Sequence, residues 1–322
     1  MKKLPLILLT HTLPADWVAV LEGKVQSMAG PVDATELAPQ LVDHLSEAEG
    51  LICLLTIPVN KMLLDQMPKL RVVSCMSVGV DNVDVAECTR RGIPVGNTPG
   101  ILTDATADLT MAILLAAARR LPEAAGDAKQ GRWQTWSPTG WLGVDLRGAV
   151  LGIVGMGKIG TAVAERARGF GMKVIYTDPK EKPETKAEFH PLESLLRQSD
   201  FITLHCPLTE ETRGLMNDRT LGMMKKNAIL INVSRGQVVD TVALVHALEN
   251  HQIAAAALDV SDPEPLPPDH PLYKLPNCLI VPHIGSATFG TRQKMAKIAC
   301  ENLLVGLSGE KLRFCINPEV YQ

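Results

Sequence analysis

Arg235, His283 and Glu264 lie far apart in a chain of 322 residues, yet their side chains suit one reaction. Arg235 stands in "NVSRGQVVD" (232–240), between an apolar run and a helix-like segment. A guanidinium there offers a two-pronged fork to a carboxylate and can polarise a neighbouring carbonyl oxygen. His283 stands in "VPHIGSAT" (281–288), past another apolar run and ahead of small residues that let a ligand approach. An imidazole is the natural group to give and take a proton near neutrality. Such a ring needs an orienting carboxylate. Glu264 in the proline-rich "DVSDPEPLPPDHP" (259–271) is the candidate, with Asp262 and Asp269 as competitors within the same stretch.

A second constellation binds rather than reacts. "VGMGKIG" (154–160) places Gly155, Gly157 and Gly160 in the GxGxxG spacing, after a strand-like run and ahead of a helix-like one. The first glycine permits a tight turn, the second lets the backbone approach a pyrophosphate, and the third lets helix and strand pack closely. The N-terminus of that helix adds free N–H groups and a positive dipole end. Asp178 closes the next strand-like run, 21 residues after Gly157, where a carboxylate accepts hydrogen bonds from the adenosine ribose hydroxyls of a dinucleotide. That acid favours NAD(H) over NADP(H), although Lys180, Lys182 and Lys186 follow it and offset part of its charge.

Elements must hold these groups. From residue 150 onward six apolar runs (149–155, 173–178, 200–206, 228–234, 253–260 and 278–283) alternate with helix-like segments, which predicts βαβ units and a parallel sheet covered on both faces. Arg235, His283 and the glycine loop each follow one of these runs, where ligands of open α/β sheets bind. The first hundred residues alternate in the same way on a smaller scale, predicting a second α/β domain. Two long segments, 103–121 and 291–307, read as helices at which the chain leaves the first domain and returns to it, with Gly306 and Gly309 loosening the end of the second. The expected fold is two Rossmann-like or flavodoxin-like parallel-sheet domains with a cleft between them. Their expected bounds are 1–102 plus 288–322 for one and 103–287 for the other.

Bulk properties exclude other classes. A net charge of −3, with no dense cluster of Lys and Arg, argues against a nucleic-acid footprint. No apolar run reaches the length of a membrane span, and the one near the N-terminus, interrupted by Pro5, is too short for a secretory signal. The seven cysteines are scattered, odd in number and never spaced CxxC, which argues for reduced thiols in the cytoplasm and against a disulfide framework or a metal site.

Taken together, "GMGKIG", "HCPLTEETRGLMN", "INVSRGQVVD", "AALDVSDPEPLP" and "PHIGSAT", in this order, resemble the D-isomer-specific 2-hydroxyacid dehydrogenases over nearly the whole chain. In the first domain "SCMSVGVDNVD", "RGIPVGNTPGILTDATAD" and "RRLPEA" are similar to the glyoxylate reductase/hydroxypyruvate reductase branch. The resemblance implies NAD(P)H-dependent reduction of small 2-keto acids, glyoxylate to glycolate and hydroxypyruvate to D-glycerate. Arg235 would hold the substrate carboxylate, His283 would give the proton, and Glu264 would be its partner. The backbone at Val78 and Gly79 would add donors to the substrate from the first domain. Gly157, Lys158 and Ile159 would face the pyrophosphate, and Pro207, Val233, Asp259 and Gly285 would line the coenzyme. The first domain would be the substrate half. The acid in "YTDPKEK" departs from NADPH-using members of the branch, which carry a basic residue and no acid near that strand end. The family also implies a homodimer formed through the coenzyme domain, which Trp133, Trp136 and Trp141 would serve; core packing is the other reading of these rings. Two other activities fit the same motifs, D-3-phosphoglycerate or D-lactate dehydrogenase and a non-enzymatic NAD-sensing corepressor.

Overall fold

Apolar runs flanked by helices bury both faces of a strand, and strands buried on both faces pair in parallel. The computed structural model, which describes residues 3–322, has two parallel sheets built on this principle, each in its own unit. One unit holds the residues up to Leu102 together with Thr288–Gln322; the other is Thr103–Ala287.

The sheet of the first unit contains β1 (Leu6–Leu9), β2 (Gln26–Ala29), β3 (Gly50–Cys53), β4 (Val72–Cys75) and β5 (Val95–Gly96), in the order β2-β1-β3-β4-β5. This is the flavodoxin-like order. Register aligns Leu8 with Leu51, Leu51 with Val73 and Val73 with Val95, so one row of apolar side chains crosses the sheet. That face packs against the helices Lys61–Asp65 and Val85–Arg90, capped by Asn60 and Asp84. The opposite face is covered by the C-terminal helix Phe289–Ser308, whose Met295, Ala299, Cys300 and Leu303 meet Ile7, Ile52 and Val72. Two details differ from expectation. β2 has almost no apolar signature and exists because its backbone pairs with β1. Gly306 does not loosen the final helix: a Cβ there would run into Val72, so glycine lets helix and strand pack closely, and Gly309 alone ends the helix in the left-handed conformation.

The second unit has seven strands rather than six: β6 (Val150–Val154), β7 (Lys173–Thr177), β8 (Glu188–Phe189), β9 (Phe201–Leu204), β10 (Ile229–Asn232), β11 (Ala255–Leu258) and β12 (Cys278–Ile280). Their order is β12-β11-β10-β9-β6-β7-β8, all parallel. The two-residue β8 was hidden because it is half exposed and contributes one apolar side chain, Phe189, whose ring meets Tyr176 edge-on at 5.6 Å. Including β8 yields the Rossmann order with one added strand, and its switch point lies between β6 and β9. Leu151, Phe201 and Ile229 pack with the helices Thr103–Ala118 and Lys158–Gly169 on one face. Val154, Ile202 and Leu230 pack with Leu192–Gln198 and Thr241–Glu249 on the other.

Candidate active site

The glycine loop follows β6 at the switch point. Gly155 has φ 96°, and a Cβ on it would lie 2.6 Å from the Cys206 nitrogen and 2.7 Å from the His205 carbonyl carbon, so only glycine lets the ends of β6 and β9 close up. A Cβ on Gly160 would strike the Gly155 carbonyl, which is the close helix–strand contact expected of the third glycine. Gly157 is the N-cap of the helix Lys158–Gly169 and supplies no side-chain cap, and a Cβ on it would meet nothing. The first-turn N–H groups therefore keep their hydrogen-bonding capacity beside an unobstructed backbone. Gly157 and Lys158 are exposed, while Ile159 is half-buried. These residues fit a dinucleotide pyrophosphate.

Asp178, just past β7, is tied to this loop. Its Oδ2 accepts the Met156 N–H at 2.9 Å and the Lys182 ammonium at 3.0 Å, and Lys182 Nζ also donates to the Met156 carbonyl at 2.9 Å. The acid thus braces the glycine loop.

Arg235 is presented by a turn that Asn232 builds. The buried Asn232 donates its amide to the Arg235 carbonyl (2.9 Å), and its oxygen accepts from the backbone and hydroxyl of Ser234 (3.0 and 2.8 Å). The adjoining Gly236 packs so closely on the Ser261 carbonyl that no side chain fits. Thr241 Oγ1 donates to the Asp262 carbonyl at 2.9 Å, so the Arg235 turn and the Glu264 loop are stitched together.

That loop brings Glu264 to His283. His283 Nδ1 and Glu264 Oε1 are 2.5 Å apart, and the two side chains are 31% and 39% exposed. Burial raises the Glu264 carboxyl. The His283 hydrogen bond and charge, the Ser261 N–H and the Arg235 guanidinium outweigh it and leave the carboxyl below its ordinary range. Of the competing carboxylates, Asp262 accepts from Gln237 at 3.3 Å, and neither it nor Asp269 pairs with His283 among the described residues.

His283 itself sits at φ 51°, a left-handed backbone that costs a non-glycine residue about 1 kcal/mol or more. Asp259 holds it there. Its carbonyl accepts the His283 N–H (2.9 Å), and its buried carboxylate accepts the N–H groups of Ile284 (2.6 Å) and Gly285 (2.9 Å). Burial pushes the Asp259 carboxyl up, against those two bonds and the His283 charge. A Cβ on Gly285 would lie 3.0 Å from this carboxylate. Asp259 is expected from its place closing an apolar strand, but as a residue lining the coenzyme; neither its clamp on Ile284 and Gly285 nor the turn at Asn232 follows from composition or spacing.

The remaining expected residues are placed as follows. Val233 is buried after β10, and Pro207 is exposed after β9, its carbonyl accepting from Thr212. In the first unit, the turn after β4 is fixed by its carbonyls: Ser77 accepts from the Thr98 N–H, Val78 from the Asn97 amide and Gly79 from the Ser77 hydroxyl. Among the described residues the N–H groups of Val78 and Gly79 donate to no protein acceptor, so two adjacent donors are left for an anion. Trp133 and Trp136 are exposed, and Trp141 donates its ring N–H to Asp127 at 2.9 Å.

Residues 111–285 match the family model described as D-isomer specific 2-hydroxyacid dehydrogenase, NAD binding domain. The chain is 44% identical to a glyoxylate reductase of Korarchaeum cryptofilum, over 98% of this chain and 97% of that one. It superposes with a TM-score of 0.91 on the crystal structure of the TT0316 protein from Thermus thermophilus, at 47% identity, covering 97% of this chain and 99% of that one. A NADPH-dependent glyoxylate/hydroxypyruvate reductase from Sinorhizobium meliloti, solved with NADP and malonate, superposes at 0.86 with 31% identity, covering 98% and 97% of the two chains. The chain therefore belongs to the D-isomer-specific 2-hydroxyacid dehydrogenases and is an NAD(P)-dependent oxidoreductase.

Proposed function

We propose that this chain reduces glyoxylate to glycolate and hydroxypyruvate to D-glycerate. The observation that carries the reading is the His283–Glu264 pair, 2.5 Å apart, within reach of the Arg235 charge and on the same sheet edge as the glycine loop. The relatives named as glyoxylate reductases support the choice of substrate.

When bound, the nicotinamide coenzyme supplies the hydride that reduces the keto carbon. Gly155, Gly157, Lys158, Ile159 and Gly160 would hold its pyrophosphate, Asp178 would accept from the adenosine ribose, and Pro207, Val233, Asp259 and Gly285 would line the site. Arg235 binds the substrate carboxylate through paired N–H donors and draws electron density from the adjacent keto oxygen. The N–H groups of Val78 and Gly79, in the first unit, would offer two adjacent donors to a carboxylate. Glu264 keeps His283 Nδ1 protonated and aimed, so the proton given to the substrate oxygen leaves from Nε2. In the oxidative direction Nε2 takes the proton back.

The protein acts as a homodimer joined through the second unit. Supporting this are the exposed Trp133, Trp136 and Leu142 and a cavity of about 330 Å³ lined by Ala116, Leu142, Val144 and the first residues of β10, β11 and β12. That cavity lies at the strand edge opposite the chemistry, so it is not the substrate site. The seven unpaired cysteines support a reducing, cytoplasmic setting.

Initial rates with glyoxylate, hydroxypyruvate and pyruvate, each against NADH and NADPH, test the activity. Highest kcat/KM with glyoxylate or hydroxypyruvate is expected. A preference for pyruvate would reassign the enzyme to lactate, and no turnover of any of the three would overturn the reading.

A further inference from the structure

The end of β7 carries a charge arrangement that the hydride and proton chemistry does not use. Asp178 alone would repel a 2′-phosphate on the adenosine ribose, but it is not alone. Lys182 Nζ contacts Asp178 Oδ2 at 3.0 Å, and its chain position is pinned by the Lys182 N–H donating to the Tyr176 hydroxyl at 2.6 Å. The Tyr176 ring is fully buried, so this anchor is rigid. The second oxygen of Asp178 has a long contact, 3.5 Å, to the Lys180 N–H, and the Lys180 side chain is exposed. The net charge of the Asp178–Lys182 pair is therefore near zero.

We propose that Lys182 is a selectivity-determining residue: it neutralises Asp178 and lets the ribose site accept a 2′-phosphorylated adenosine as well as an unphosphorylated one. The proposal rests on the dinucleotide reading of the Gly155–Gly160 loop. A lysine suits this task because its ammonium is a compact charge on a flexible stem with three donors. It stays on Asp178 when the ribose carries a hydroxyl and turns to the phosphate when one is present. The Met156 carbonyl, its other partner at 2.9 Å, keeps it at the rim of the phosphate loop in both cases.

Titration calorimetry of the full chain with ADP-ribose and 2′-phospho-ADP-ribose tests this without nicotinamide or turnover. The wild type is expected to bind the two within about tenfold of each other. Lys182→Gln should weaken 2′-phospho-ADP-ribose by about tenfold, the order expected for removing one charge about 5 Å from a dianion in a water-like medium. ADP-ribose should change by less than about threefold, and Lys182→Arg should restore the wild-type ratio. Equal weakening of both ligands would show that Lys182 only braces the Met156 carbonyl and would overturn the proposal, as would an unchanged ratio. A wild type that rejects the phosphorylated ligand more than a hundredfold would overturn the proposal and leave the dinucleotide reading intact. Binding of neither ligand by any variant would overturn both.

Discussion

At the scale of single residues, His283 and Glu264 act as a unit, and the 2.5 Å contact says which atom does what. Nδ1 is committed to Glu264, so Nε2 must do the proton transfer. We expect His283→Gln to lower kcat by about 10²- to 10⁴-fold, the usual share of a positioned acid or base. Glu264→Gln keeps a hydrogen bond to Nδ1 but removes the negative charge, and should lower kcat by about tenfold or more with little change in KM. Because the glutamate works through the imidazole, the two losses should not add: in the His283→Gln background, Glu264→Gln should change kcat by less than about threefold. A double-mutant cycle measures this, and full additivity would separate Glu264 from the proton transfer. His283 and Arg235 were legible because their residue types are unusual just past a strand. Glu264 was only one of three candidate acids in its stretch, beside Asp262 and Asp269, and choosing among them needed the fold of a proline-rich loop that no periodicity describes.

At the scale of elements, the geometry of this site depends on two loops held at one fixed separation. Gly236 is the contact between them, packed against the Ser261 carbonyl. A methyl group there cannot be absorbed by a rotamer change, because the atoms it meets are backbone. Gly236→Ala must therefore move the Arg235 turn away from the Glu264 loop. The expected result is a fall in kcat/KM of about a hundredfold, as for a misplacement near 1 Å, with about 1–3 kcal/mol of lost stability. Gly126→Ala is the control: it lies in the helix Leu121–Lys129, where a Cβ meets nothing, and should raise stability by about 0.5–1 kcal/mol. Steady-state rates and urea midpoints on both variants check this; wild-type activity in Gly236→Ala would show that the two loops need not stay in register. The same scale shows where sequence reading stopped. Strands buried on both faces announce themselves as apolar runs, whereas β2 and β8 are edge strands defined by backbone pairing and carry little of that signal. Gly306 was misread because a glycine at a close contact and a glycine that ends a helix look alike until the partner, Val72, is known.

At the scale of the whole molecule, one histidine in each unit, the buried His11 and the half-buried His205, has a lowered pKa, and this lowers stability in acid. In the first unit burial lowers the pKa of His11, against the Ala34 carbonyl bond and the Asp33 charge. In the second, burial alone lowers His205 to about 3; its Nε2 shares a 2.9 Å hydrogen bond with Thr203, and its Nδ1 has no partner among the described residues. A histidine whose folded pKa is depressed binds fewer protons folded than unfolded once pH falls below about 6.5. Its contribution is intact above that pH and is lost on acidification, for His205 at up to about 1.4 kcal/mol per pH unit until about pH 3. Carboxylates with depressed values, Glu264 and Asp200 among them, lose their contribution only near and below their ordinary range, around pH 4. Asp259, pushed up by burial, shifts stability in the opposite direction in acid. The interval from pH 6.5 to 5 lies above the range of the depressed carboxylates, and the histidines lose their contribution within it. Across it the urea midpoint of the wild type should fall steadily, and His205→Gln, which replaces Nε2 with an amide able to reach Thr203, should flatten the slope by about one proton's worth. Parallel slopes for wild type and variant would mean that His205 takes up its proton without unfolding the second unit, and that its burial does not govern the acid response.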